Sequence, residues 1–180
     1  MSDVRIRPPR FEDATELLAL RNESRAYLEK WEPVPEPGFD AFGSAWFARY
    51  FASSTSERSR RFLIVGVDDG RIVGQVGLSE IIRGALQQAF VGYWIGEAYA
   101  GRGFMTRGVR LVVRHAFEEL GLHRLEANVQ PNNAPSIRVL EKSGFRREGF
   151  SPRYLQIAGA WADHERWAMT REELAGDDAR

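Results

Sequence analysis

The chain has no cysteine among its 180 residues, which excludes disulfides, thiolate nucleophiles and Cys-ligated metals. Histidine is scarce as well. His115, His123 and His164 lack the spacing that metal ligation needs, so no metal site is expected. An excess of one charge is also missing: 25 Lys and Arg balance 25 Asp and Glu, and a sequence pI near 6.9 gives no basic footprint for nucleic acid. No run is apolar enough to span a bilayer, and the start, MSDVRIRPPR, has no signal-peptide core, so a cytoplasmic protein without membrane contact is expected. Neither an internal repeat nor a low-complexity linker divides the chain. Its length and 43% hydrophobic content suit a single domain spanning residues 1–180.

What is present centres on residues 91–120, VGYWIGEAYAGRGFMTRGVRLVVRHAFEEL. Residues 90–95 read as a buried strand and Gly101-Arg102-Gly103 as a turn, while Val109, Val112, Val113, Ala116, Phe117 and Leu120 mark the apolar face of a helix. The first turn of a helix carries N–H groups with no intrahelical partner, and the macrodipole adds partial positive charge, so an anion docks where no side chain intervenes. Gly101 and Gly103 lack Cβ atoms and tolerate the positive φ that lets successive amides converge on one phosphate. Arg102 adds a charged donor beside them. Glycine spacing alone also fits an ordinary strand-to-helix junction.

Before this unit, residues 4–7 alternate as a short strand ended by Pro8-Pro9, and a helix is expected from about Phe11 with Ala14, Leu17 and Leu18 inward. Residues 27–33 form a short aromatic segment entering the loop PVPEPG, which no helix can cross. A second long helix is expected to start near Asp40 as N-cap and to carry Trp46, Phe47, Tyr50 and Phe51 as core residues. FLIVGV, the turn Asp68-Asp69-Gly70 and RIVGQVGL read as a hairpin, and residues 87–95 as a third strand. After the central helix, Gly121 suits a C-cap and HRLEANV a strand; residues 135–142 suit a helix ended by Gly144. Residues 145–170 read as further strands turning at Gly159-Ala160.

A strand, a glycine turn, a helix and a returning strand bearing Glu126 about 20 residues on also match a dinucleotide-binding fingerprint. Its third glycine falls on Thr106, and the unit follows an antiparallel hairpin instead of opening a series of βαβ units, which ranks nicotinamide and flavin binding low. A second resemblance covers residues 4–170. YAGRGFMT followed by a helix resembles the acyl-CoA pyrophosphate motif of the GNAT N-acetyltransferases. NNAPSIRVLEKSGF resembles that family's next signature, an Asn, a Ser three residues on, and a helix ending in Gly-Phe. YLEKWEP, EIIRG, VGYWIGEAYAGRGFM, HRLEANVQPNN and EGFSPRYLQIAGAWADH resemble its RimJ/RimL branch, which acetylates protein N-termini, including those of ribosomal proteins. Two positions depart from the family motif: Ala100 stands where Gln or Arg is usual and Met105 where Gly or Ala is frequent. Main-chain donation tolerates both.

The resemblance implies an α/β (α+β) GNAT fold, a mixed, mostly antiparallel sheet splayed at its centre with helices on both faces. It implies acetyl-CoA as co-substrate, lying in the split between the strand ending at Ile95 and the strand of residues 124–129. The pyrophosphate would sit on the amides of Gly101, Arg102, Gly103, Met105 and Thr106. The main chain at Trp94 and Ile95 would hold the pantetheine arm and acetyl carbonyl, and Asn133 would hold that arm from the other side. Ser136 is implied beside the sulfur of the leaving thiolate; the simpler reading makes it a helix cap.

Acetyl transfer needs a neutral amine, a polarised thioester carbonyl and a proton for the departing thiolate. The strand of residues 90–95 brings no carboxylate, which leaves Glu32 and Glu126 as candidate bases. Glu126 better suits a residue facing solvent or a partner strand, and Glu32 also suits recognition of a cationic amine. An α-amino group titrates near ~8 and a lysine near ~10.4, so a site without a strong base favours an α-amine. The acceptor site is expected from Tyr27, Trp31, Glu32, Trp94 and the hairpin around Tyr154 and Trp161. The leading expectation is an acetyl-CoA-dependent N-acetyltransferase acting on a protein N-terminus, as a monomer or a homodimer. The alternatives are acetylation of a small amine (an antibiotic, a polyamine or an amino acid) and an idle acyl-CoA sensor that keeps the cradle without depending on Ser136.

Overall fold

The computed structural model describes residues 3–177. In chain order, β1 (Val4–Arg7) leads through a 3₁₀ turn, Phe11–Asp13, into α1 (Ala14–Glu23) and the one-turn α2 (Arg25–Leu28), and α3 (Ser44–Ala52) follows the proline-rich loop. Next come β2 (Thr55–Ser56), β3 (Ser59–Gly66), β4 (Ile72–Ile82) and β5 (Gln88–Ile95), then α4 (Phe104–Arg114) and β6 (Arg124–Val129). α5 (Ala134–Lys142), β7 (Arg146–Ile157), β8 (Ala160–Thr170) and α6 (Arg171–Asp177) complete the chain.

The strands form one sheet in the order β1-β3-β4-β5-β6-β8-β7, with β2 paired to β3 off that path. Every pairing is antiparallel except β5 with β6, which run parallel because α4 carries the chain back across the sheet. Alternating side chains give the sheet two apolar faces. Ile64, Val76, Val91 and Leu125 pack against Val109, Val112, Val113 and Phe117 of the helix that starts with α4. Leu63, Val65 and Ile72 pack on the other face against Leu17 and Leu20 of α1 and Phe47 and Tyr50 of α3. Helices therefore cover both sides, as the mixed α/β architecture required. Among the described residues no helix is long and apolar enough to cross a membrane.

Two local expectations are corrected, and the simpler alternative for Ser136 falls. Asp40 does not cap α3: its carboxylate accepts from Phe42 N–H two residues on (2.9 Å), an Asx turn, and α3 starts at Ser44 with Gly43 as N-cap. Phe51 is not core; it is 37% exposed and meets the rings of Phe11 and Phe47 at the surface. α5 is capped not by Ser136 but by Asn133, whose Oδ1 accepts Ser136 N–H at 3.2 Å.

Asp13 ties β1 to α1. Its carboxylate takes the Arg7 guanidinium through two bonds (2.7 and 2.6 Å) and also accepts from Arg10 N–H (2.6 Å). Burial alone would raise its pKa, but Arg7 and the Arg10 amide outweigh that and hold it below the usual carboxylate range. Because the folded value is depressed, the contribution is present above the unfolded pKa of about 3.9 and is lost as pH falls through the lower folded value. Asp13→Ala is expected to cost about 2 kcal/mol in urea unfolding at neutral pH. The gap between the variant and the parent should close as the medium is acidified below that range.

Candidate active site

β5 and β6 hold together only at their first residues, where Gln88 faces Arg124, Ala89 faces Leu125 and Phe90 faces Glu126. Beyond Phe90 the strands part. Gly96 N–H bonds back to Val73 C=O (2.9 Å), and an antiparallel ladder alternates its bonding side, so Trp94 and Gly92 also turn their polar groups to β4. The N–H and C=O groups of Tyr93 and Ile95 therefore face the gap, where the described residues offer them no backbone partner. A cleft of about 680 Å³ opens there, and a smaller one of about 170 Å³, between β5 and β6, shares Trp31, Tyr93, Asn133 and Ser136 with it.

Past Ile95, a 3₁₀ turn over Glu97–Tyr99 delivers the chain to Gly101 (φ 73°) and Gly103 (φ 79°), both left-handed. A Cβ in that region costs about 1–2 kcal/mol per residue, which is why glycine stands at both positions. Gly103 is the N-cap of α4, and the first donation into the helix runs from Arg107 N–H to Gly103 C=O (3.2 Å). Among the described residues nothing accepts from the amides of residues 101–106, and no side chain caps the helix. Free amides at the positive end of a helix dipole form an anion site. The Arg102 guanidinium lies over the rings of Tyr99 (5.8 Å) and Phe104 (5.0 Å), beside the cradle and outside the cleft lining.

With Asn133 capping α5, the Ser136 hydroxyl is free for another role. Its Oγ lies 2.9 Å from the Tyr93 hydroxyl, which also approaches Ser136 C=O at 3.3 Å. Burial pushes the Tyr93 phenol up to about 12, with the Ser136 bond pulling the other way. At neutral pH it stays protonated and can donate.

On the other side of the cleft, Arg21 is 2% exposed and holds both oxygens of Glu32, at 3.0 and 2.7 Å. Its guanidinium lies over the rings of Trp46 (4.2 Å), Phe42 (4.7 Å) and Trp94 (5.3 Å). Glu32 C=O also accepts from Ala158 N–H (3.0 Å), tying the loop after Trp31 to the β7–β8 hairpin. Glu126 stands elsewhere: it pairs with Arg124 (2.8 Å) at the zipped end of β5 and β6.

Residues 3–146 match the family model described as an acetyltransferase (GNAT) domain. The chain belongs to the GNAT acetyltransferase family. It is 40% identical over 164 residues to the probable N-acetyltransferase YjcK of Bacillus subtilis strain 168, covering 90% of this chain and 91% of that one. It is 31% identical over 161 residues to the ribosomal protein uS5-alanine N-acetyltransferase of Escherichia coli K12, covering 88% and 82%. Among solved structures it matches Mycobacterium smegmatis RimJ in complex with CoA-disulfide at a TM-score of 0.87 and 36% identity, covering 95% of this chain and 83% of that one.

In this GNAT N-acetyltransferase, Trp94, Ile95, Gly101, Gly103, Met105 and Thr106 line the large cleft together with Asn133 and Ser136 from α5. Tyr27, Trp31 and Glu32 line it from the α2 side. Tyr154 does not: it is 38% exposed and sits edge-on to His164, outside the lining. Two residues of the cleft, Tyr93 and Arg61, and Arg21, which holds Glu32 from outside the lining, escaped the reading from sequence. Tyr93 lies in the run VGYWIGEAYAGRGFM, one residue from Trp94, with no local sign of its partner 43 residues away. Arg21 carried a signal, a cation on the apolar face of α1 beside Leu17 and Leu20. Arg61, in a run of basic residues at the start of β3, carried none.

Proposed function

We propose that this N-acetyltransferase moves the acetyl group of acetyl-CoA onto the α-amino group of a protein N-terminus. One observation supports it above the rest. The free amides of residues 101–106 and the unpaired edge of β5 at Tyr93 and Ile95 border one cleft, which fits a single molecule carrying a diphosphate at one end and a thioester at the other.

In this reading the amides of Gly101, Arg102, Gly103, Met105 and Thr106 hold the diphosphate. Acetyl-CoA supplies an activated thioester. Ile95 N–H donates to its carbonyl oxygen, where negative charge develops. Asn133, its Oδ1 engaged in the helix cap, keeps its amide N–H₂ for the pantetheine arm. Ser136 Oγ–H gives a proton to the departing sulfur and recovers the one that the attacking amine sheds as the amide forms, and the Tyr93 phenol donates to Ser136 Oγ, which keeps that hydroxyl aimed at the cleft.

The acceptor side supports an α-amine. Glu32 is the one carboxylate lining the cleft among the described residues, and Arg21 already engages both its oxygens. An amine titrating near ~8 arrives partly neutral and needs little help from a base. A polycationic amine would find no uncommitted carboxylate, which disfavours the polyamine alternative. The E. coli relative is named for a ribosomal protein alanine, the same acceptor chemistry. Incubation of N-terminal peptides and small amines with labelled acetyl-CoA, followed by intact-mass and fragment analysis, tests the proposal. A single acetyl on a peptide α-amine is expected; transfer confined to lysines or polyamines would contradict it.

A further inference from the structure

We infer that Arg61 binds a carboxylate on the acceptor, one or more residues in from the reacting amine, so that the substrate class is an N-terminal segment with an early acidic residue. The inference rests on the acetyltransferase reading above and concerns the acceptor end of the same cleft.

Arg61 of β3 faces Gly77 of β4, and Gly77 faces Gly92 of β5, so these positions form one row across the sheet. Two side-chain-free positions in that row open a trough. A Cβ on Gly92 would meet nothing within 4 Å, whereas one on Gly77 would stand 2.9 Å from Arg60 C=O and 3.0 Å from Gln75 Nε2. Arg61, Gln75, Gly77, Gly92 and Trp94 all line the cleft, on the sheet face that packs against α1 and α3. That is the face Tyr27, Trp31 and Glu32 border, opposite the one that carries α4 and the cradle.

Arg61 is the unmatched charge of that face. No ion pair reaches it among the described residues, and its Nε is buried without a hydrogen-bond partner. Its neighbour is the ring of Tyr50 at 5.4 Å, whose own buried hydroxyl has no partner either. Burial lowers the Arg61 pKa, with Tyr50 acting the other way, yet a guanidinium stays charged at any physiological pH. A partly desolvated cation without an anion is unfavourable, and a bidentate carboxylate relieves that cost. Glu32 cannot serve, since Arg21 holds it.

Spacing sets where the carboxylate lies. Arg61 is two strand spacings, about 10 Å, from β5, and its row is three residues, about another 10 Å, from Ile95. A free amino acid separates its amine and carboxylate by less than one Cα step of about 3.8 Å, so its own carboxylate falls short of Arg61 even with the arginine extended. An acidic side chain further along an extended peptide spans the distance.

The test titrates amidated N-terminal hexapeptides, with Asp or Asn at position two, three or four, into the CoA complexes of the parent and Arg61→Gln, and then follows acetyl transfer. In the parent, the Asp peptide at one of these positions is expected to bind about tenfold tighter than its Asn twin. In Arg61→Gln the twins should bind alike, with CoA affinity unchanged as the sign of an intact fold, and Arg61→Lys should recover part of the preference. Absence of a preference in the parent, which needs no variant to fold, or its survival in Arg61→Gln, overturns the inference. Free aspartate binding as tightly as the acidic peptide overturns the peptide assignment. Carboxylate-dependent binding without transfer would sink the acetyltransferase reading and keep Arg61; transfer with no carboxylate preference would do the reverse.

Discussion

Gly103→Glu is expected to lower acetyl-CoA affinity at least about a hundredfold in isothermal titration, the product of two charge-assisted hydrogen bonds lost at about 1.5–3 kcal/mol each. The physical case rests on where that residue stands. Gly103 is left-handed at φ 79° and caps α4, so any side chain adds strain of about 1–2 kcal/mol, too little to unfold a domain with this core. Its Cβ would come within 3.1 Å of Arg107 Nη1, the far end of a flexible side chain that can shift. The glutamate carboxylate would then compete for amides 101–106 and repel a diphosphate that approached them. Gly103→Ala separates the two effects: it carries the strain without the charge, and its affinity loss should stay within about tenfold. Equal losses in both variants would mean that backbone distortion, not anion competition, governs binding.

Ser136→Ala is expected to reduce kcat by about a hundredfold to a thousandfold while leaving the KM for acetyl-CoA within about twofold. Ser136 contributes its backbone N–H, not its hydroxyl, to the start of α5, so removing Oγ leaves the Asn133 cap and the thermal stability intact. Tyr93→Phe should slow turnover less, by about tenfold, because it removes the group that aims the hydroxyl and not the proton donor itself. In the Ser136→Ala background the Tyr93 change should add almost nothing, the signature of two residues acting in series. Undiminished turnover in Ser136→Ala would move proton donation to another group, and no turnover in the parent with any amine would leave an acyl-CoA sensor.

Local chemistry made much of the fold readable. The turn at residues 68–70, the glycine pair at 101 and 103 and the alternation in β6 each carry their structural reason within a few residues. Asp40 misled because its side chain serves a helix start and an Asx turn equally well, and the N-cap of α3 falls three residues later, at Gly43. The parting of β5 and β6 is not written in any single strand. Both strands have ordinary apolar periodicity, and only the GNAT resemblance indicated that they diverge. The Arg21–Glu32 and Tyr93–Ser136 contacts lie 11 and 43 residues apart, so the tertiary fold alone brings them together. Arg61 gave no sign in the sequence; packing half-buries it, leaves its Nε without a hydrogen-bond partner and supplies no counter-charge among the described residues.

The central claim is that main-chain nitrogens at the start of α4 grip a diphosphate. Amide hydrogen exchange at residues 101–106, followed by NMR or mass spectrometry with and without CoA, examines those atoms themselves. The account expects these amides to exchange markedly more slowly with CoA and to show no such protection with pantetheine, which lacks the diphosphate. Saturating CoA that leaves their exchange unchanged would contradict it.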